Sequence, residues 1–119
     1  MKPLFFPFRR DVYRKGLLGE RMAEKALKRE GLRVTERRWR CAGGEVDLIC
    51  RDGDTVVFVE VKYRPDGREG DGVLAVTEDK MTRLKRCADI YMVRFPDRFA
   101  RIDILEITSD GVRHLRDVR

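Results

Sequence analysis

Histidine occurs once in these 119 residues and cysteine three times, with no C-x-x-C spacing. Zinc is usually held by closely spaced cysteines and histidines, so a zinc site is not expected. A single histidine argues against histidine-based nucleases. The lack of a G-x-S-x-G or Walker-type loop argues against serine hydrolases and P-loop enzymes. No apolar run approaches the ~20 residues that a membrane-spanning helix needs. Leu4-Phe5-Phe6-Pro7-Phe8 is too short, and too interrupted by Pro7, for the core of a signal peptide. A cytoplasmic protein is therefore expected, with Cys41, Cys50 and Cys87 all reduced and structurally passive. Repeats, low-complexity tracts and linkers are missing too, and the length suits a single domain.

What is abundant is charge, at 40% of residues against 42% hydrophobic ones, with a net charge of +6. It is unevenly placed. Residues 1–40 hold 13 Lys/Arg against 5 Asp/Glu, whereas the remaining 79 hold 14 against 16. A basic first third beside a slightly acidic remainder suggests a surface that faces a polyanion. A solvated basic face without a partner has the same composition.

Residues 1–14 mix aromatic and basic side chains without periodicity and read as an N-terminal arm, expected to be flexible. From about Lys15 to Glu30, Leu18, Gly19, Met22, Ala23, Ala26 and Leu27 fill one arc of a helix, with Arg21, Lys25, Lys28 and Arg29 opposite. Gly31 ends it. Leu32 to Arg40 reads as a strand. Glu45 to Arg51 and Thr55 to Arg64 read as a hairpin around Asp52-Gly53-Asp54. Pro65 to Gly72 reads as a mobile loop. A second helix, capped by Thr77, runs from Glu78 to about Arg94. Arg101 to Ile107 and Val112 to Val118 complete the set as strands around the turn Ser109-Asp110-Gly111. The order αβββαββ predicts an α/β fold with a mixed sheet flanked by helices.

Two acids stand inside apolar strand runs, Asp47 in Val46-Asp47-Leu48-Ile49 and Glu60 in Val57-Phe58-Val59-Glu60-Val61-Lys62. A carboxylate buried among such neighbours is costly unless it meets a cation or a metal. Strand alternation puts Glu60 and Lys62 on one face. A turn near Gly53 brings Asp47 to about position 59 or 60 of the next strand. Glu20 lies at the rim of the first helix's apolar arc, with Glu24 further toward solvent. Lys80 holds the comparable rim of the second helix. Each has a plainer reading: Lys62 salt-bridged across strands, Glu20 paired with Lys25 or Lys28 at the surface, Lys80 solvated. Together they resemble a metal-dependent phosphodiesterase site. Hard oxygen ligands such as Asp47 and Glu60, with Glu20, suit Mg²⁺ or Mn²⁺, and Lys62 would steady an attacking water or the developing charge. Trp39, among Arg37, Arg38 and Arg40, reads as a packing residue. His114, with no acidic neighbour in the pattern, reads as structural or surface.

The pattern Asp47…Glu60-Val61-Lys62 is similar to the D…(D/E)-x-K core of the PD-(D/E)xK nuclease superfamily. Lys15-Gly16 with Glu20, and Gly44-Glu45-Val46-Asp47-Leu48-Ile49, resemble archaeal Holliday-junction resolvases. The wider set adds Gly19-Glu20, Lys80 and Arg101-Ile102-Asp103, and it resembles the YraN-type uncharacterised bacterial family of predicted endonucleases. Val46 stands where the superfamily name has proline. The resemblance implies a restriction-endonuclease-like core, with residues 15–119 forming one nuclease-like domain. It implies a magnesium-dependent hydrolase binding DNA, often as a homodimer, with branched or junction DNA as a candidate substrate and RNA left open. Asp47 and Glu60 would be metal ligands, Lys62 the catalytic lysine and Glu20 a further acid. Lys15, Arg37, Arg38, Arg40 and Lys80 are the candidate nucleic-acid contacts. The competing expectations are a nucleic-acid-binding protein that keeps the fold without cleaving, and a structural protein whose acid–lysine cluster is a buried salt-bridge network.

Overall fold

The computed structural model describes the backbone from Phe5 to Arg119 and side chains from Gly16 onward. Helix α1 spans Phe5–Arg29, starting ten residues before the expected Lys15. Pro7 is tolerated there because the first-turn N–H groups have no helical acceptor to lose. Residues 1–4 of the expected arm, the side chains of Phe5, Phe6 and Phe8, and that of Lys15 lie outside the described residues.

The described residues then form β1 (Arg33–Cys41), β2 (Gly44–Asp52), β3 (Thr55–Arg64), a short α2 (Asp71–Leu74), α3 (Glu78–Met92), β4 (Phe99–Thr108) and β5 (Gly111–Leu115). They make one five-stranded sheet in the order β1-β2-β3-β4-β5. All neighbours are antiparallel except β3 and β4, which run parallel over ten pairs from Thr55↔Phe99 to Arg64↔Thr108. This is the expected mixed α/β sheet. Parallel strands are joined by crossovers that cover the sheet, so β3 is buried on both faces, which explains its near-continuous Val-Val-Phe-Val run.

Each face has its own core. Ala23 and Leu27 of α1 pack with Leu48, Val57, Val59 and Leu105. Leu84, Ala88 and Tyr91 of α3 pack with Ile49, Phe58 and Ile102 on the opposite face. Trp39 packs edge-on against Tyr91, with ring centroids 5.1 Å apart, as a packing residue should. Thr77 caps α3 through its hydroxyl, which accepts from the Lys80 N–H at 3.2 Å.

Three expectations are corrected. The buried stripe of α1 is rotated away from Leu18 and Met22, which are 49% and 37% exposed. It centres on Gly19, Ala23 and Leu27, because a side chain at Gly19 would sit 2.5 Å from Tyr63 Cβ and only glycine lets the helix come so close. That rotation turns Glu20 and Glu24 toward β1, where Glu20 meets Arg38 and Glu24 meets Arg37 while also pairing with Lys28 one turn along its own helix. Second, the loop across Pro65–Gly72 leads into α2, whose Val73 N–H, with that of Gly70, donates to the buried Glu106 carboxylate at 3.0 Å. Third, the cysteines are not all reduced. Cys41 at the end of β1 and Cys87 on α3 form a disulfide with Cα atoms 5.6 Å apart, while Cys50 is free and buried. Residues 46 positions apart meet only through the α3–sheet packing, which cysteine spacing cannot reveal. No helix among the described residues is long and apolar enough to cross a membrane.

Candidate active site

The β2–β3 hairpin is zipped from Asp52↔Thr55 up to Leu48↔Val59, and there the pairing stops. One more step in this register would set Asp47 opposite Glu60. Instead the strands part, and the Asp47 carboxylate accepts from the Val61 N–H at 2.8 Å, filling the gap in the ladder. On the other side of β2 the register runs unshifted past Arg38, from Arg37↔Leu48 to Trp39↔Val46, yet Arg38 itself has φ +49°. A left-handed arginine inside a strand costs on the order of 1 kcal/mol or more and persists only where its surroundings hold it. Here the holder is Glu20, whose two carboxylate oxygens accept from Arg38 Nε and Nη2 at 2.9 and 3.1 Å.

Glu60 points from β3 toward α3 and is 2% exposed. Its Oε2 lies 3.0 Å from Lys62 Nζ. Its Oε1 lies 3.7 Å from Lys80 Nζ and has no hydrogen-bond partner among the described residues. Among the described residues Asp47 has no salt bridge, although Lys80 is near enough to act on its charge. Burial, and then the negative charge of Glu60, push its pKa up to about 7, although the Val61 N–H and Lys80 pull the other way.

Lys62 is walled in by the segment after β3. A Cβ on Gly72 would meet Lys62 Cβ at 2.8 Å and Glu106 Cγ at 2.9 Å, so α2 can lie over the lysine only because residue 72 is glycine. Glu106 is the β4 partner of Lys62, is 1% exposed, and anchors that segment.

The structure thus brings Asp47, Glu60, Lys62 and Lys80 together, with Glu20 close enough to Asp47 to raise its pKa further. Glu20 itself is held by Arg38, and among the described residues no three His, Cys, Asp or Glu side chains are grouped as a metal-holding set. Asp47 and Glu60 alone still fit Mg²⁺ or Mn²⁺, which keep several waters and take one or two carboxylates. The unbonded, buried Oε1 of Glu60 is the kind of oxygen such an ion would use.

The arginines proposed for nucleic acid are all ion-paired. Arg37 is bound to Glu24, Arg38 to Glu20, and Arg40 Nε lies 3.0 Å from Glu45. Exposed pairs of this kind are worth little and exchange readily, Arg40 with an 84% exposed side chain above all.

Sequence reasoning missed a second charged cluster. His114 does have acidic neighbours: Nε2 lies 2.7 Å from Asp103 and Nδ1 2.7 Å from Glu30, with the side chain 6% exposed. Arg101 binds Asp103 and Asp52, so β5 is tied to β4, α1 and the β2–β3 turn. Both imidazole nitrogens are occupied, which suits a structural imidazolium rather than a general base. The signal was available, because Asp103 and Glu106 sit in Ile102-Asp103-Ile104-Leu105-Glu106-Ile107, an apolar run like the one around Glu60.

Burial alone would lower the His114 pKa, but the bonds to Asp103 and then Glu30 reverse this and raise it. A raised histidine pKa stabilises the fold fully below the unfolded value, near 6.5, and this stabilisation is lost as pH rises through the folded value. Wild type should therefore lose thermal stability on going from pH 6.5 toward 8.5, and His114→Gln should flatten that slope. An equally steep decline in the variant would remove His114 as its source.

An α/β protein with a buried strand acid, a half-buried one at the same strand fork, a lysine held to the buried acid and a second lysine from the facing helix is the class this geometry defines. The chain belongs to the uncharacterised protein family UPF0102, whose model matches residues 19–107. It is 46% identical over 110 residues to a UPF0102 protein of Beutenbergia cavernae, covering 87% of this chain and 93% of that one. A UPF0102 protein of Herminiimonas arsenicoxydans is 40% identical, over 86% of this chain and 83% of its own. One from Mycolicibacterium vanbaalenii is 45% identical, over 77% and 78%.

Proposed function

We propose that the protein is a Mg²⁺- or Mn²⁺-dependent endonuclease with a restriction-endonuclease-like core, hydrolysing DNA phosphodiester bonds at branched or junction sites. The observation that carries this reading is the pair Asp47 and Glu60 at the fork of β2 and β3. One has a pKa pushed up to about 7, and the other keeps a buried oxygen without a hydrogen bond. Among the described residues both lysines fall to Glu60 and no salt bridge to Asp47, an uneven match that a divalent ion held by the two acids would even out.

When bound, the ion would neutralise phosphate charge and make a water more acidic. The chain's own groups do the rest. Asp47 and Glu60 would hold it, and Asp47 would release its proton on doing so. Lys62, whose Nζ touches Glu60 Oε2, is placed to orient the attacking water or to meet charge developing on the phosphate. Lys80 sits over the other oxygen of Glu60 and is placed to meet a substrate phosphate.

The test is cleavage of junction, flap, single-stranded and duplex DNA, and of RNA, with Mn²⁺ present. Wild type should cut, preferring one shape, while Lys62→Ala should lose on the order of 100-fold or more in rate. Cleavage that persists in both Lys62→Ala and Glu60→Ala would sink the site. Binding without cleavage in the wild type would favour the non-catalytic nucleic-acid-binding reading, for which the Arg38-held Glu20 speaks.

A further inference from the structure

We infer that Lys80, Arg83 and Arg86 of α3, with the bare glycine turn between β1 and β2, form a track for the phosphates of one nucleic-acid strand leading away from Asp47 and Glu60. The identity of the polyanion rests on the nuclease reading; the track itself rests on the following geometry.

The three cations follow one row of α3 at intervals of three residues, so they span about 9 Å along the helix axis. At 3.4 Å per residue of one strand, that is two to three nucleotides. Lys80 is the inner end, 3.7 Å from Glu60 Oε1. Arg83 and Arg86 are exposed and, unlike Arg37, Arg38 and Arg40, have no ion pair or hydrogen bond among the described residues. This holds although Glu78, Asp79 and Asp89 lie on the same helix. A guanidinium already bound to a carboxylate must leave it before meeting a phosphate. A free one only sheds its counterions.

The turn beside them is kept clear. Arg83 Cβ lies 3.5 Å from where a Cβ on Gly44 would be, and Arg86 Nη1 lies 3.5 Å from the same point on Gly43. Gly43 has φ +91°, and a Cβ on Gly44 would press on Cys87 Sγ at 3.2 Å. No side chain therefore stands between the arginines and the turn's backbone. The Cys41–Cys87 disulfide joins α3 to this turn, so the arginines are positioned before any ligand arrives.

The experiment measures binding of fluorescein-labelled junction and single-stranded DNA by anisotropy, in EDTA, across a salt series. Arg83→Gln with Arg86→Gln is compared with Lys25→Gln with Arg29→Gln, which removes the same charge from α1 on the other side of the sheet. The track requires the α3 pair to lower the slope of log affinity against log salt by about 2, and affinity at 0.15 M salt by on the order of tenfold or more. The α1 pair should change both much less. Equal effects of the two pairs would mean that net charge alone matters and would overturn the track, as would wild type that binds neither DNA. The two readings fail separately. Cleavage by wild type with unaltered binding in the α3 variant sinks the track alone. Loss of binding in that variant, with no cleavage by wild type under any metal, sinks the nuclease and leaves the track.

Discussion

Without metal ions, Asp47→Asn should be more stable than the wild type by about 2 kcal/mol at pH 7. The unfolded aspartate releases its proton near pH 3.8 and the folded one near pH 7. Below about pH 4 both states hold the proton and there is no penalty. Between pH 4 and 7 only the unfolded state gives it up, so wild-type stability falls as pH rises. Above pH 7 the full difference stands, about 4 kcal/mol from a shift of roughly three units. Asparagine removes that penalty but holds the Val61 N–H less strongly, which takes back part of the gain. Glu24, Glu30, Asp103 and Asp110 have lowered pKa values and act below the ordinary carboxylate range, while His114 acts above about 6.5. The interval from about pH 5 to 6.5 therefore belongs to Asp47. Urea midpoints for both proteins across that interval in EDTA are the measurement. A variant no more stable than wild type, with the same pH slope, would show that Asp47 is not strained. The variant should also lose the stabilisation that Mn²⁺ confers on wild type.

Glu60→Ala should do the reverse. It removes the acid that holds Lys62 at 3.0 Å and Lys80 at 3.7 Å, and leaves two half-buried ammonium groups without it. Breaking a buried pair by removing one partner costs about 3 kcal/mol or more. A Glu60→Ala, Lys62→Met double variant should recover much of this, because the stranded charge goes as well. Single-variant stability equal to wild type would place the lysines in solvent rather than on Glu60. Removing one acid of the pair thus helps the apo fold and removing the other harms it, a split that neither a pure salt-bridge network nor two equivalent metal ligands would give.

Much of this was legible in the sequence. Strand boundaries, the Asp52-Gly53-Asp54 turn and the Thr77 cap follow from period and capping chemistry, and they place Asp47 beside Glu60 because hairpin register is a local property. What depended on packing between distant elements was not legible. The rotation of α1 depends on Gly19 meeting Tyr63, and it decides that Glu20 faces Arg38 rather than Lys25 or Lys28. The disulfide depends on where α3 docks. Arg38's left-handed backbone has no sequence signature, since arginine carries no preference for it. Asp103 and Glu106 stood in the open, in a run of the same kind that singled out Glu60, and show that a buried strand acid marks a structural clamp as readily as a reactive site.

The Cys41–Cys87 bond has a topological consequence. It closes residues 41 to 87 into a covalent ring, and Asp47, Glu60, Lys62, Lys80, Arg83 and Arg86 all lie inside it, with Glu20 outside. A cut in the backbone anywhere on that ring leaves one connected molecule, whereas a cut outside it sheds a terminus and spares these six residues. The ring also persists in the unfolded chain, so the distances among the six stay bounded there, and the chain has fewer arrangements to search when it refolds. Under a thiol reductant the ring opens, and the site must be assembled from a linear polymer held by packing alone.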